Sequence, residues 1–164
     1  MAKCGCNKQV VQATQTGTKL PACTRIFVLS GASRRGKSTT LNKLAAYIAS
    51  QVGWAVLNGP KSPHVGHNDY KYVIVNNQKN ITVGISTAGD GAKQIKDGFL
   101  HFRTNGCNVC FIASKTNGDS IRHLEQECFN DSIVPQYQFL HGEYTSRNQN
   151  KVQADIVDQL FKMI

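Results

Sequence analysis

Residues 31–38 read Gly-Ala-Ser-Arg-Arg-Gly-Lys-Ser and meet every fixed position of the pattern G-x-x-x-x-G-K-[ST], whose chemistry is the cradling of a phosphate chain. Gly31 and Gly36 permit backbone conformations and close approaches that a side chain would block. Successive N–H groups then turn inward at the positive end of the following helix. On this reading Gly31, Ala32, Ser33, Arg34, Arg35, Gly36, Lys37, Ser38 and Thr39 line a nucleoside triphosphate site. Lys37 is expected to reach the β- and γ-phosphates, and the Ser38 hydroxyl to ligate Mg²⁺. Arg34 and Arg35 either add charge beside the phosphates, face solvent, or meet an anionic second substrate; two variable positions leave this open.

Such a loop needs a strand before it and a helix behind it. Residues 25–30 (Arg-Ile-Phe-Val-Leu-Ser) have the apolar character of a buried inner strand. Beyond the loop, Leu41, Leu44, Ala45 and Ile48 recur at helical spacing within residues 39–50, and Gly53 follows closely as a terminating glycine.

A phosphate loop also works with a carboxylate that holds the water shell of Mg²⁺. The chain has ten acidic residues. Asp97, Glu125, Glu127, Asp155 and Asp158 fall inside predicted helices, and Asp69, Asp119, Asp131 and Glu143 in loops or just ahead of predicted elements. Only Asp90 closely follows an apolar strand, so it is the expected metal-side and catalytic carboxylate, with Ser86 and Thr87 as supplements. Its competing role is N-cap of the next helix.

The remaining pattern is α/β. Strands are expected at 54–57, 70–75, 81–87, 107–113 and 133–140, the last broken by Pro135, and helices at 90–104, 120–129 and 148–163. Residues 58–69 are rich in Gly and Pro and read as loop, and 70–87 as a β-hairpin. This rhythm predicts a mainly parallel sheet with helices on both faces and an added hairpin. Residues 1–22 read as a polar tail and 23–164 as one domain.

Six cysteines are present, and reduced thiols are expected beside a nucleotide site. Cys107 and Cys110, three apart in an expected strand, should face opposite ways and serve packing rather than a shared metal. Cys4, Cys6 and Cys23 supply three thiols where a structural zinc wants four ligands. His64 and His67 lie in the long loop with Lys61, either exposed or touching a second substrate. Residues 114–117 (Ser-Lys-Thr-Asn) stand where guanine-specific proteins carry [NT]-K-x-D; Asn117 replaces the guanine-reading Asp, which leaves ATP as the expected nucleotide.

A net charge of +9 favours anionic partners: the nucleotide itself, a nucleotide or other small acceptor, or nucleic acid. No apolar run approaches the length of a membrane span. The first twenty or so residues hold Lys3, Lys8 and Lys19 among polar residues, unlike a secretory signal, so a cytoplasmic protein is expected.

Together these residues resemble the P-loop (Walker A) NTPase superfamily, specifically over 25–50 and by rhythm over most of the chain. In size the chain is similar to small nucleotide-kinase-like proteins, compact phage-encoded ones included. The resemblance implies a three-layer fold, with Gly31, Gly36, Lys37 and Ser38 as phosphate and Mg²⁺ contacts; in place of a dense arginine lid the chain offers only Lys115 and Arg122. It further implies a phosphotransferase, or alternatively an ATP-dependent switch or accessory ATPase. The chain departs from nucleoside monophosphate kinases in lacking an Asp-Arg acceptor pair and a dense arginine lid, and in placing a hairpin where they have helices.

Overall fold

A computed structural model describes residues 19–32, 34–61, 68–140 and 148–164. Strands and helices follow in the order β1 (Arg25–Ser30), α1 (Lys37–Ser50), β2 (Ala55–Asn58), β3 (Lys71–Asn76), β4 (Ile81–Ser86), α2 (Ala92–Thr104), β5 (Val109–Ser114), α3 (Asp119–Asn130), β6 (Gln136–Phe139) and α4 (Gln149–Phe161). Most of the proposed tail, Ser33, His64, His67, Cys4 and Cys6 lie outside the described residues. Among the described residues no helix is long and apolar enough to cross a membrane.

The strands form one six-stranded sheet in the order β2-β3-β4-β5-β1-β6. It is mixed: β4, β5, β1 and β6 run parallel, while β3 is antiparallel to both β2 and β4. The expected hairpin is therefore not an appendage. Its second strand, β4, is also a member of the parallel core, and its first carries β2 as an antiparallel edge. β6 begins just after Pro135 and lies at the other edge, where a proline next to the ladder is tolerated.

Alternation along the inner strands feeds two cores. Phe27 and Leu29 of β1, with Phe111 and Ala113 of β5, pack under the stripes Leu41, Leu44, Ala45 and Ile48 of α1 and Ile156, Val157 and Leu160 of α4. Ile26 and Val28 of β1, with Cys110 and Ile112 of β5, face Ile95, Phe99 and Phe102 of α2 and Leu124 and Cys128 of α3. Helices thus cover both faces of the sheet, as a buried parallel sheet requires. Leu20 joins the second core and donates its N–H to Asp131 at 3.2 Å, so the folded body starts ahead of the expected boundary at residue 23.

Cys107 and Cys110 do not face opposite ways. β5 begins at Val109, so Cys107 sits in the turn before it, and both thiols enter the same core beside Cys128. Packing is their role there, and burial pushes the Cys128 thiol up to about 12.

Beneath this core, Arg103 of α2 donates to Glu127 at 2.6 Å and to Asp131 at 2.7 Å, and the Asp131 side chain is 1% exposed. Removing the guanidinium strands two carboxylates in a desolvated site. Arg103→Met is therefore expected to cost about 3–5 kcal/mol, read from urea unfolding midpoints. A cost below about 1 kcal/mol, the range of exposed pairs, would show that the network does not hold α2 to α3.

Candidate functional site

Parallel strands deliver their C-terminal ends to one edge of a sheet, the usual location of ligand sites in α/β folds. Here that edge collects the residues following Ser30, Ser86, Ser114 and Phe139. Because β3 runs the other way, its beginning reaches the same edge. The glycine loop leaves β1 there, tied on one side by Gly31 N–H to the Ser114 carbonyl at 3.2 Å. On the other side Leu140 N–H donates to the Ser30 carbonyl at 2.8 Å.

Gly36 has φ 75°, a left-handed conformation that favours glycine, and a Cβ there would lie 2.7 Å from Gln153 Nε2 of α4. Arg34 takes φ 61°, and the side chains of Arg34 and Arg35 are both exposed. α1 starts at Lys37 with no side-chain cap and no acid in its first turn. Its first ladder bond runs from Thr40 N–H to the Gly36 carbonyl at 2.9 Å, reinforced by the Thr40 hydroxyl at 2.8 Å. The N–H groups ahead of Thr40 are the ones a helix leaves for an external acceptor.

Lys37 is only 6% exposed and bends back on its own loop, donating to the carbonyls of Gly31 at 2.9 Å and Ala32 at 2.8 Å. Burial lowers its proton affinity, the negative charge of Asp90 partly restores it, and Lys115 lowers it again. Asp90 and Lys115 thus both act on Lys37 through space. Among the described residues neither Asp90 nor any other carboxylate forms a direct ion pair with it.

Ser38 faces a different acid. Its hydroxyl lies 2.9 Å from Asp69 Oδ1 and 3.1 Å from the Thr87 carbonyl, and the Thr87 hydroxyl donates to the same Asp69 oxygen at 3.3 Å. The Tyr70 and Thr87 backbones extend the β3–β4 ladder to this point, with Thr87 N–H to the Tyr70 carbonyl at 3.0 Å and Tyr70 N–H to Thr87 Oγ1 at 2.8 Å. Asn42, fully buried on α1, fixes the preceding residue by donating to the Asn68 carbonyl at 2.8 Å, and accepts from the Tyr72 hydroxyl at 2.7 Å.

The expected residues are therefore divided. Lys37, Ser38, Thr87 and Asp90 gather at the loop, but Asp90 sits on an exposed bend on the Lys37 side. It is not the N-cap of α2; Gly91 occupies that position without a side-chain bond. The Ser86 hydroxyl lies on the α2 side of β4, 3.0 Å from where a Cβ on Gly98 would stand, and is buried without a partner among the described residues. Asp69, which the sequence places in a loop, and Asn42 and Gln153, which carry no local signal, also lie at the site. Asp69 precedes a strand instead of following one, Asn42 lies inside the α1 helix, and Gln153 inside α4. The Gln153 side chain accepts from Lys43 at 2.6 Å. No group of three metal-ligating side chains occurs among the described residues, and Cys23 is exposed.

No protein-family model matches the chain, and no curated protein or solved structure gives a significant match. The fold and the loop geometry therefore define the class by themselves: an α/β protein with an uncapped helix N-terminus and a buried lysine at the C-terminal edge of its sheet.

Proposed function

We propose that the chain is a P-loop NTPase of three-layer α/β type that binds Mg²⁺·ATP at residues 31–39 and works as a small cytoplasmic phosphotransferase. One observation carries the reading: a buried lysine beside an uncapped, acid-free helix start, with only carbonyls of its own loop to hold it. Among the described residues no carboxylate pairs directly with this ammonium, and a phosphate chain fits the site in charge and donor set. Asn117 in place of a guanine-reading Asp favours ATP over GTP.

ATP with Mg²⁺ would supply a terminal phosphoryl group whose leaving oxygens are already partly neutralised. Lys37 would exchange its carbonyl bonds for oxygens of that group, and the charge of Lys115, which acts on Lys37, would add to the positive potential there. The loop N–H groups would orient the phosphates, and the Ser38 hydroxyl would offer its lone pairs to the metal. An acceptor, small molecule or nucleotide, approaches from the side of residues 58–69. A second reading, an ATP-dependent switch or accessory ATPase working with nucleic acid or a protein partner, is favoured by the net charge of +9, more than a phosphate chain alone requires.

The test is incubation of γ-labelled ATP with the protein and a panel of nucleosides, nucleotides, sugars and nucleic acids. Label is expected in a small acceptor. Label released only as inorganic phosphate, at a rate that small acceptors do not change, would overturn the transfer reading and leave the switch.

A further inference from the structure

Asp69 is the carboxylate in hydrogen-bond contact with the serine of the loop. Two hydroxyls, Ser38 at 2.9 Å and Thr87 at 3.3 Å, converge on its Oδ1. Among the described residues, Oδ2 has no hydrogen-bond partner and Asp69 no ion pair. A hydroxyl that gives its proton to a carboxylate keeps its lone pairs for a cation, so the Ser38–Asp69 contact is the arrangement a magnesium-binding serine needs.

The support behind Asp69 is built in. Asn42 and Tyr72 pin residue 68 from the buried side, and the Tyr70–Thr87 backbone pair locks residue 69 beside the β4 terminus. Both anchors are joined to the loop: Asn42 lies on α1, the helix that the loop opens, and Thr87, directly after β4, presents its carbonyl to the Ser38 hydroxyl at 3.1 Å. Among the described residues Asp90, by contrast, has no hydrogen bond to the Ser38 or Thr87 hydroxyl.

The geometry points to Asp69, at the head of an antiparallel strand, as the carboxylate that holds the water shell of Mg²⁺. This inference rests on the proposed triphosphate site. It makes Asp69 a positioning residue that acts through the metal, and Asn42 the residue that positions it in turn.

The test is titration of a fluorescent ATP analogue into wild-type protein, Asp69→Asn and Asp90→Asn, each with Mg²⁺ and with EDTA. Asparagine preserves an acceptor for the Ser38 hydroxyl, so a role confined to pinning the loop would leave the Mg²⁺ dependence intact. In wild-type protein Mg²⁺ is expected to tighten binding. Asp69→Asn should lose about 10–100-fold of that tightening while its affinity in EDTA stays within about 2-fold of wild type, and Asp90→Asn should retain it. Undiminished Mg²⁺ enhancement in Asp69→Asn, or its loss in Asp90→Asn, would overturn the assignment while leaving the triphosphate site standing. Absence of binding by wild-type protein in either condition would overturn both. Should Asp69→Asn fail to fold, Mn²⁺ in place of Mg²⁺ on the wild-type protein decides the matter by NMR: amide broadening centred on residues 38 and 69 supports the inference, and broadening centred on 90 and 91 contradicts it.

Discussion

Lys37→Ala is expected to abolish the thermal stabilisation that ATP confers, while leaving the melting temperature of the nucleotide-free protein close to that of wild type. In the free protein the ammonium is desolvated and bonded only to the Gly31 and Ala32 carbonyls, so its loss removes two hydrogen bonds and also the cost of burying a charge. These contributions oppose one another, and the net change should stay within about 1 kcal/mol. Binding has no such offset. Charge-assisted bonds to phosphate oxygens contribute about 1.5–3 kcal/mol each, so the affinity should fall roughly 100-fold or more. Differential scanning fluorimetry with and without ATP reads both quantities. Stabilisation by ATP that survives in Lys37→Ala would place the nucleotide elsewhere.

The second large effect is on the fold that carries the site. A Cβ on Gly89 would stand 1.8 Å from the Ala113 carbonyl oxygen and 2.3 Å from its carbon. Both are backbone atoms of β5, so no rotamer change relieves the overlap. The Gly89 carbonyl also accepts from the Ser120 hydroxyl at 2.6 Å, which in turn lies 2.9 Å from the Ser114 hydroxyl. Gly89→Ala must therefore push the segment between Thr87 and Asp90 away from β5 and α3. The expected cost is about 3 kcal/mol or more, at the upper end of overpacking. Gly106→Ala is the matched control: φ is 59° but nothing lies within 4 Å of the added methyl, and about 1 kcal/mol is expected. Urea midpoints measure the difference. Equal costs at the two positions would mean that the β4–α2 turn is not packed against β5 as described.

How far these features could be read from the residues depends on which of them are local. The glycine loop, its strand and its helix are specified by neighbours in the chain, and β1 and α1 stand where the apolar spacing puts them. The hairpin over 70–87 makes β3 antiparallel to β4, but the pairing of β2 with β3 and of β4 with β5 joins segments whose alternation carries no sign of it. That gap concealed Asp69. Searching for an acid after a strand is sound for parallel strands, whose C-terminal ends share an edge; an antiparallel strand presents the residue before it. Asp90 follows a strand and acts on the lysine only through space, whereas Asp69 precedes one and touches the serine. Cys107 shows the same limit on a smaller scale. Alternation gives opposite faces only within a strand, and the strand starts at Val109. Gln153 was hidden for another reason: a buried amide on α4 gains meaning only once α4 is seen to pack against Gly36.

The central claim is that residues 31–39 form a triphosphate site, and calorimetric titration of the wild-type protein with ATP and with inorganic triphosphate in the presence of Mg²⁺ tests it most directly. Saturable ATP binding with a dissociation constant below about 1 mM is predicted, with inorganic triphosphate competing for the same site because the loop reads phosphates and not the base. The absence of saturable binding by both ligands would contradict the account.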